Sequence, residues 1–484
     1  HMGAYGCEWV NTPGFDRVAQ EGILLTRAFT PNAKCAPSRA CILTGRNSWQ
    51  LEEGANHQTP FPRKFKTCFE ALGDHGYFVG YTGKGWAPGD PGTIEGKERE
   101  LTGRPYSDQK CESPPCMNDN DYAANFKDFL NDRPEDSPFC FWYGATEPHR
   151  SYEYRSGVER GGKDPSDIDE VYDIWPDNET VRTDLLDYAF QIEHFDKHLS
   201  MMLNELDRRG ELDNTLVVVT SDNGMPFPRA KGQEYYYSNH LPAAIMWRDG
   251  LENPGRTVDD VVSFIDFAPT FLDVAGLTES DTTMKSITGR SLMDIIKDGG
   301  DGQINPQRDR VLIGKERHDF GRPGDVGYPI RGIFKNGYLY LINFETDRWP
   351  GGNPETGYMN CDGSPTKTEV LKARENPETR HFWEWSFGKR PAEELYFIEE
   401  DPACLNNRAN EESHAELKRE LREQMIEELN SQGDPRMQGN GEVFDDYPTA
   451  AEGMKNFYSR YVSGEMDIPG WINGSDIEKL PRDE

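Results

Sequence analysis

Positive charge is scarce in this sequence. Its 484 residues include 53 lysines and arginines against 85 aspartates and glutamates, a formal net charge of −32. Nucleic-acid binding and adhesion to an anionic membrane both need a basic face. We therefore expect neither partner, and an anionic substrate would need a local basic pocket inside an acidic molecule.

Long apolar runs are missing as well. Hydrophobic residues make up 35% of the chain, and no run of them reaches the roughly 20 residues that a transmembrane helix needs. Aromatic residues, at 11%, argue against disorder, because disordered chains are poor in them. The length exceeds what one hydrophobic core usually supports, so we expect two packed parts.

The nine cysteines follow no regular framework. Cys111 and Cys116 are close enough in sequence to close a small loop, which an oxidising compartment would permit. The odd number leaves at least one thiol unpaired, and we expect Cys35 to be that thiol. No signal peptide is visible in this sequence.

Helical patterns alternate with strand patterns through the first two-thirds of the chain. Residues 139–143 and 216–220 are aromatic or β-branched runs that predict buried strands. Apolar residues recur at helical spacing over 184–209, and Gly210 predicts the end of that helix. This alternation predicts an α/β protein whose sheet lies between helices.

The pattern changes near residue 325. Residues 330–344 predict a hairpin, 394–398 a further strand and 411–432 a helix. We therefore expect a larger domain over residues 1–325 and a smaller α+β domain with a small antiparallel sheet over 326–484. The segment 349–379, rich in Gly, Pro and Asn, predicts a long surface loop.

The most informative segment is 35–46, Cys-Ala-Pro-Ser-Arg-Ala-Cys-Ile-Leu-Thr-Gly-Arg. It resembles the signature of the formylglycine-dependent sulfatases, Cys-x-Pro-Ser-Arg followed by Leu-Thr-Gly-Arg. In that family the cysteine is oxidised to formylglycine, whose hydrated aldehyde attacks sulfur with one hydroxyl and expels sulfate with the other. The motif also predicts the start of a helix, where an anion is favoured. A structural cysteine is the competing interpretation, and the completeness of the motif argues against it.

Ser221-Asp222-Asn223-Gly224 follows the strand predicted at 216–220. Ligands of open α/β sheets bind at the carboxyl ends of strands, and carboxylate and amide oxygens suit a hard cation such as Ca²⁺. An Asx turn is the competing interpretation. Together with the Cys35 motif, Asp222 and Asn223 are predicted metal ligands.

Basic residues from four segments match sulfate-binding positions of the family. His149 matches a histidine that contacts sulfate and can protonate the leaving group, a task that suits histidine near neutral pH. Lys84 and Lys231 match positions that face sulfate. The resemblance therefore implies that these three residues and Arg39 surround the Cys35 side chain.

Within the family, the likeness is to the N-sulfoglucosamine sulfohydrolases and covers most of the chain. It includes Gly3-Ala4-Tyr5, 54–58, Pro226-Phe227-Pro228, Tyr328-Pro329-Ile330-Arg331 and Glu394-Leu395-Tyr396. It implies an alkaline-phosphatase-like fold in which residues 1–325 form the catalytic domain. His57, His318 and Arg331 match sugar-facing segments and are our candidates for substrate contact.

Two departures from the family pattern bear on turnover. Sulfatases begin with a strand that ends in two metal-binding aspartates, and this sequence starts after the matching segment. We therefore expect that first strand to be missing and the Ca²⁺ site to be incomplete. The family also has a histidine that deprotonates the formylglycine hydroxyl where this chain has Trp86. His57 and His318 are candidates to substitute for it.

We expect an enzyme that removes N- or O-linked sulfate from a sulfated sugar or polysaccharide. A catalytically silent relative that binds sulfated glycans is one alternative, favoured by Trp86 and opposed by the intact motif. A phosphoesterase of the same superfamily is another, but it would normally have Ser or Thr in place of Cys35. We expect a periplasmic, secreted or lysosome-like location, and the sequence leaves the sugar and the oligomeric state open.

Overall fold

The computed structural model describes residues 1–478. The strands are β1 (Ile23–Leu25), β2 (Ala28–Phe29), β3 (Thr59–Pro60), β4 (Phe78–Gly83), β5 (Gly89–Asp90), β6 (Thr93–Ile94), β7 (Lys97–Glu98), β8 (Arg104–Pro105), β9 (Phe139–Gly144), β10 (Val217–Thr220), β11 (Ala243–Met246), β12 (Arg256–Val258), β13 (Val262–Ser263), β14 (Arg310–Lys315), β15 (Ile330–Lys335), β16 (Tyr338–Asn343) and β17 (Glu393–Phe397). The α-helices are α1 (Pro13–Gln20), α2 (Cys35–Thr44), α3 (Cys68–Asp74), α4 (Tyr122–Asp132), α5 (Ser156–Glu159), α6 (Glu179–Arg209), α7 (Tyr236–Asn239), α8 (Phe267–Val274), α9 (Glu279–Thr282), α10 (Met293–Ile296), α11 (Pro365–Ala373), α12 (Arg380–Phe387), α13 (Ala415–Ser431), α14 (Val443–Asp446) and α15 (Phe457–Val462).

Two sheets form the centre of the molecule. Strands β8, β4 and β9 lie side by side and run parallel. The second sheet has the order β10-β11-β1-β12, with β11 antiparallel to both of its neighbours and β12 parallel to β1. The predicted α/β class is confirmed, and the strands at 139–143 and 216–220 are those the sequence predicts.

Helix α6 supplies much of the packing beside these sheets. The Asn178 side chain caps its first turn by accepting a hydrogen bond from the Val181 N–H, and Gly210 ends it at a φ of 70°. Its buried stripe includes Leu185, Ile192 and Leu199, at the spacing of one helix face. The helix predicted over 184–209 is confirmed and begins earlier, at Glu179.

Strands β9 and β10 are edge strands of the two central sheets. Both line a cavity of about 1820 Å³, and most of their residues are only partly buried, unlike those of β11. Within residues 1–478, the cavity-facing edge of each strand pairs with no other strand. This cavity also reaches the carboxyl ends of β4, β9 and β10, where the candidate site lies.

Strands β14 to β17 form an antiparallel sheet in chain order. The predicted hairpin turns at Asn336 and Gly337, both with positive φ, as a two-residue turn requires. Helix α13 packs Leu421 and Met425 against this sheet. The sheet begins at Arg310, ahead of the boundary predicted near 325.

The prediction of a long surface loop over 349–379 is wrong. The segment contains α11 and a run of buried residues, Tyr358 and Met359 among them. Tyr358 stacks on Phe387 at 4.4 Å between ring centroids, so the segment packs into the fold despite its glycines and prolines. Residues 479–484 of the predicted C-terminal domain lie outside the described residues.

All nine cysteines are free thiols, so Cys111 and Cys116 do not close the loop that the sequence permits. In the described chain, no helix is long and apolar enough to cross a membrane.

Candidate active site

Cys35 is the first residue of α2, as the motif predicts. Lys34 precedes it in an extended conformation, and Gly45 ends the helix in the left-handed region at a φ of 66°. Every residue of α2 is buried, which fixes the direction of its first turn. The Cys35 side chain lines the cavity at the positive end of the helix dipole, where an anion is favoured.

Lys84 follows β4 directly, and a glycine makes its position possible. Gly83 has a φ of 76°, and a Cβ at this residue would lie 2.2 Å from the carbonyl oxygen of Gly144 at the end of β9. This close approach lets the Lys84 N–H donate to that oxygen at 2.6 Å. Lys84 therefore enters the cavity where the two parallel strands end together.

Arg39 ties three segments of the site together. Its Nε donates to Asp222 Oδ2 at 2.8 Å, and its Nη1 donates to the carbonyl oxygens of Lys84 at 2.6 Å and Gly85 at 2.8 Å. Burial raises the pKa of Asp222, but the positive charges of Arg39 and Lys84 outweigh it and hold that pKa far below its usual range. Asp222 is therefore a permanent carboxylate.

Lys231 and His149 form a second basic group. Lys231 Nζ lies 2.9 Å from His149 Nε2 and donates to Asp362 Oδ2 at 2.9 Å. The other ring nitrogen of His149, Nδ1, lies 2.5 Å from the Arg150 carbonyl oxygen and must carry the proton there. The neighbouring Lys231 charge is the main reason that the pKa of His149 is lowered.

These groups act together on the Cys35 thiol. Burial raises the pKa of Cys35, but the charges of Lys84 and Lys231 outweigh burial, and the net pKa lies well below the usual value for a thiol. Asn223 Oδ1 lies 3.5 Å from Cys35 Sγ. The cavity lining includes all seven residues predicted for catalysis and metal binding: Cys35, Arg39, Lys84, His149, Asp222, Asn223 and Lys231.

The three predicted substrate contacts are not among the residues that line the cavity. The Arg331 guanidinium is fully buried between Glu316 at 2.8 Å and Asp434 at 2.7 Å, so it is saturated by carboxylates and does not face a ligand. His318 is buried too, 2.9 Å from Asn32 Oδ1 by its Nε2 atom.

His57 is not among the residues that line the cavity and lies beside Asp319. Its Nδ1 is 3.3 Å from Asp319 Oδ1, and the Lys34 Nζ donates to the other oxygen of that carboxylate at 2.7 Å. The three side chains are almost entirely buried. The His57 ring is also one of the groups that lower the pKa of Cys35.

The residues that the structure describes do not by themselves form a Ca²⁺ site. Asp222 already pairs with Arg39, and Asn223 is the only other predicted ligand. No group of three or more His, Cys, Asp or Glu side chains within residues 1–478 is arranged to hold a metal ion. Ca²⁺ needs six or more oxygen ligands.

Sequence reasoning missed three residues that hold the predicted ones in place. Asp362, which pairs with Lys231, lies in the segment predicted to be a surface loop. Lys34 directly precedes the motif, and Asp319 directly follows His318. Their places beside His318 and Cys35 were the available signal for Asp319 and Lys34, but the pairings join residues more than 100 positions apart and need the fold to become visible.

Comparisons with known proteins agree with this chemistry. The profile of the family described as Sulfatase matches residues 1–277. An ulvan-active sulfatase of Formosa agariphila is 27% identical over 444 residues, which cover 89% of this chain and 78% of the relative. The human N-sulphoglucosamine sulphohydrolase is 25% identical over 460 residues, 87% of this chain and 86% of the relative.

Solved structures share the architecture. A protein in complex with its substrate D-glucosamine-2-N,6-O-disulfate is similar with a TM-score of 0.61 at 18% identity, over 93% of this chain and 96% of the other. A 2-O GAG sulfatase is similar with a TM-score of 0.60 at 16% identity, over 90% of each chain. The predicted alkaline-phosphatase-like fold is confirmed.

Proposed function

The chain belongs to the sulfatase family of sulfuric ester hydrolases, and on that premise we propose that it removes sulfate from a sulfated sugar with residue 35 as nucleophile. The observation that carries this proposal is the convergence of Arg39, Lys84, His149 and Lys231 on one cavity around Cys35. Four segments distant in sequence supply these charges in a molecule with a net charge of −32. A sulfate group is an anion that such a pocket binds through charge-assisted hydrogen bonds.

Formylglycine at position 35 is part of the proposal. It supplies two hydroxyls on one carbon, one to attack sulfur and one to release sulfate. The Cys35 side chain has two polar neighbours, Asn223 Oδ1 at 3.5 Å and the His57 ring, which fits a group with two hydroxyls. Ca²⁺ stays outside the proposal, because the described residues do not complete its site.

The leaving oxygen of the sugar needs a proton, and in this proposal the Lys231–His149 pair gives it. The Lys231 ammonium donates to His149 Nε2 at 2.9 Å, so a proton is held between the two side chains at the cavity. Asp362 keeps that ammonium charged, because its carboxylate lies 2.9 Å away and raises the pKa of Lys231 despite burial. Lys84 and the first turn of α2 balance the charge that develops on sulfate.

The relatives narrow the substrate class. One relative is named as a sulfatase active on ulvan, and another as a hydrolase of N-sulphoglucosamine. One similar structure contains a disulfated glucosamine. We therefore propose a sulfated sugar of a polysaccharide or glycosaminoglycan, with N- and O-linked sulfate both open. A periplasmic, secreted or lysosome-like location remains a prediction.

The experiment compares the wild-type protein and Cys35→Ala, both produced together with a formylglycine-generating enzyme. Sulfate release is measured from N-sulfated and 6-O-sulfated glucosamine and from ulvan oligosaccharides. The mass of the tryptic peptide that contains residue 35 reports its conversion to the aldehyde. We expect release by the wild type alone, since Cys35→Ala deletes the nucleophile and little volume.

Two outcomes would count against the proposal. Equal activity of Cys35→Ala would exclude residue 35 as nucleophile. Tight binding of these sugars by a fully converted wild type that releases no sulfate would instead support a silent, glycan-binding relative.

A further inference from the structure

Release of sulfate from residue 35 needs a base beside that residue, and most nearby groups cannot act as one. Lys231 is cationic, and the pKa of its ammonium is raised. His149 has its Nε2 occupied by Lys231 and its Nδ1 by a backbone carbonyl. The Asp222 carboxylate is held by Arg39, which keeps its basicity low.

Trp86 follows Lys84 closely in the chain and is also unable to accept a proton. Its Nε1–H donates to the Ala36 carbonyl oxygen at 3.0 Å, and its ring packs edge-on against Phe61 at 5.1 Å between centroids. An indole nitrogen is a donor only. Trp86 therefore supports the first turn of α2 and leaves the proton transfer to another side chain.

His57 has the arrangement that a base requires. Its backbone N–H donates to the Arg317 carbonyl oxygen at 3.0 Å, which anchors the residue. Its Nδ1 faces the Asp319 carboxylate, an arrangement that favours the neutral tautomer with the proton on Nδ1 and the lone pair on Nε2. Nε2 is buried and makes no hydrogen bond of ordinary geometry to any residue in the described chain, while the ring interacts with the Cys35 side chain.

The Asp319 carboxylate is itself held in place. Lys34 Nζ donates to its Oδ2 at 2.7 Å and, with His57, keeps the pKa of Asp319 far below its usual range despite burial. Two further groups surround His57. His318 is neutral, because burial and Lys315 lower its pKa well below the usual value, and Arg317 contributes its carbonyl oxygen. An imidazolium formed at His57 would therefore share the Asp319 carboxylate with the Lys34 ammonium.

We propose that His57 is the base that takes the proton from the hydroxyl of residue 35 when sulfate is released, and that Asp319 and Lys34 are the residues that position it. The inference rests on the proposed function. In this step His57 Nε2 gains the proton, and the O–H electron pair becomes the second bond of the aldehyde carbonyl. The bond between that carbon and the sulfate oxygen breaks, and sulfate leaves with its electron pair. Water then adds to the aldehyde and the imidazolium returns its proton to solvent.

The test is a trapping experiment with His57→Gln in the formylglycine form. Transfer of sulfate to residue 35 and release of the sugar should continue, but the second step should stop. We expect one burst of desulfated sugar per enzyme, a steady rate lowered by roughly 10²–10⁴-fold, and a residue-35 peptide that is heavier by one sulfo group.

Asp319→Asn should trap the same species to a smaller extent, because His57 remains but loses its orientation. His75→Gln, which changes a histidine at the end of α3 whose ring Nδ1 lies 2.8 Å from the Ala71 carbonyl oxygen, should behave as wild type.

A second measurement does not depend on the modification. In protein that retains the Cys35 thiol, the rate of alkylation of the residue-35 peptide by iodoacetamide is followed against pH. Loss of the His57 ring should raise the apparent pKa of that thiol in His57→Gln, and His75→Gln should leave it unchanged. An unchanged thiol pKa in His57→Gln would show that the ring does not reach residue 35.

The outcomes separate this inference from the proposed function. If the wild type releases sulfate and His57→Gln turns over at the same rate with no trapped adduct, the base is another group and the inference is overturned. If the fully converted wild type neither releases sulfate nor forms an adduct, the proposed function fails with it.

Discussion

At the scale of single residues, Lys231 decides the protonation of its neighbours. Its ammonium lies 2.9 Å from both His149 Nε2 and Asp362 Oδ2. An ammonium has no lone pair, so His149 Nε2 must accept the hydrogen bond and carries no proton. The lowered pKa of His149 follows chiefly from this charge.

Lys231→Met should therefore raise the pKa of His149 relative to wild type. The ring would then become protonated at a higher pH, because the repelling charge is gone while Asp362 remains. Titration of the His149 ring by NMR measures the change, and Lys231→Arg, which keeps the charge, is the control. Sulfate release by Lys231→Met should fall by roughly 10²–10³-fold, the usual effect of losing one group that stabilises the transition state. A His149 pKa that does not move would mean that the pair is not formed in solution.

Arg331 shows where residue patterns mislead. Its place in the matching segment Tyr328-Pro329-Ile330-Arg331 predicts contact with substrate, but Glu316 and Asp434 enclose its guanidinium. Neither partner is close to Arg331 in sequence, and only the fold brings them together. The same applies to Asp362 beside Lys231, whereas the Cys35 motif and Asp222 could be predicted because each lies within a continuous segment.

At the scale of elements, the site is made by strands that end at one level. Strands β4 and β9 pair in register from Phe78 opposite Phe139 to Gly83 opposite Gly144, so Lys84 leaves the sheet beside the chain that carries His149. Local sequence patterns predicted β9 and β10 from apolar runs, α6 from helical spacing and the β15–β16 hairpin from its turn signal. They missed α11, which lies in a segment whose glycines and prolines are typical of loops and whose burial comes from distant partners.

Gly83→Ala tests whether this close approach of β4 and β9 sets the position of Lys84. A Cβ at Gly83 would meet the Gly144 oxygen at 2.2 Å, and a φ of 76° adds the cost of a left-handed alanine. Gly76→Ala is a matched control, since its φ is 89° and nothing lies within 4 Å of its Cβ. Both variants should lose about 1–2 kcal/mol from backbone strain, and Gly83→Ala a further ~1–3 kcal/mol from the overlap.

Urea unfolding measures both losses, and sulfate release should fall only in Gly83→Ala, where Lys84 is displaced. Equal stability and equal activity of the two variants would show that the strands can separate here without moving Lys84.

At the scale of the whole molecule, the net charge and the site have opposite signs. The chain carries 85 acidic against 53 basic residues, while the cavity around Cys35 collects Arg39, Lys84 and Lys231. Salt screens the attraction between the substrate and pocket charges a few ångströms away less than it screens the repulsion from the acidic surface. The pocket charges therefore determine how a small substrate binds in the cavity. A long polyanion also experiences the repulsion from the surface.

This difference predicts an unusual dependence on salt. The screening length falls from about 30 Å at 0.01 M to about 8 Å at 0.15 M ionic strength. For a sulfated oligosaccharide longer than the pocket, kcat/KM should rise a few-fold over this range, since the repulsion by the net charge of −32 is screened. For a sulfated monosaccharide, kcat/KM should stay constant or fall, because added ions compete only with the basic residues of the pocket. Initial rates with both substrates on the same preparation measure the effect, with uncharged viscosity-matched solutes as the control. A parallel decline of the two values with salt would mean that the pocket dominates at long range and that the acidic surface does not face the approaching chain.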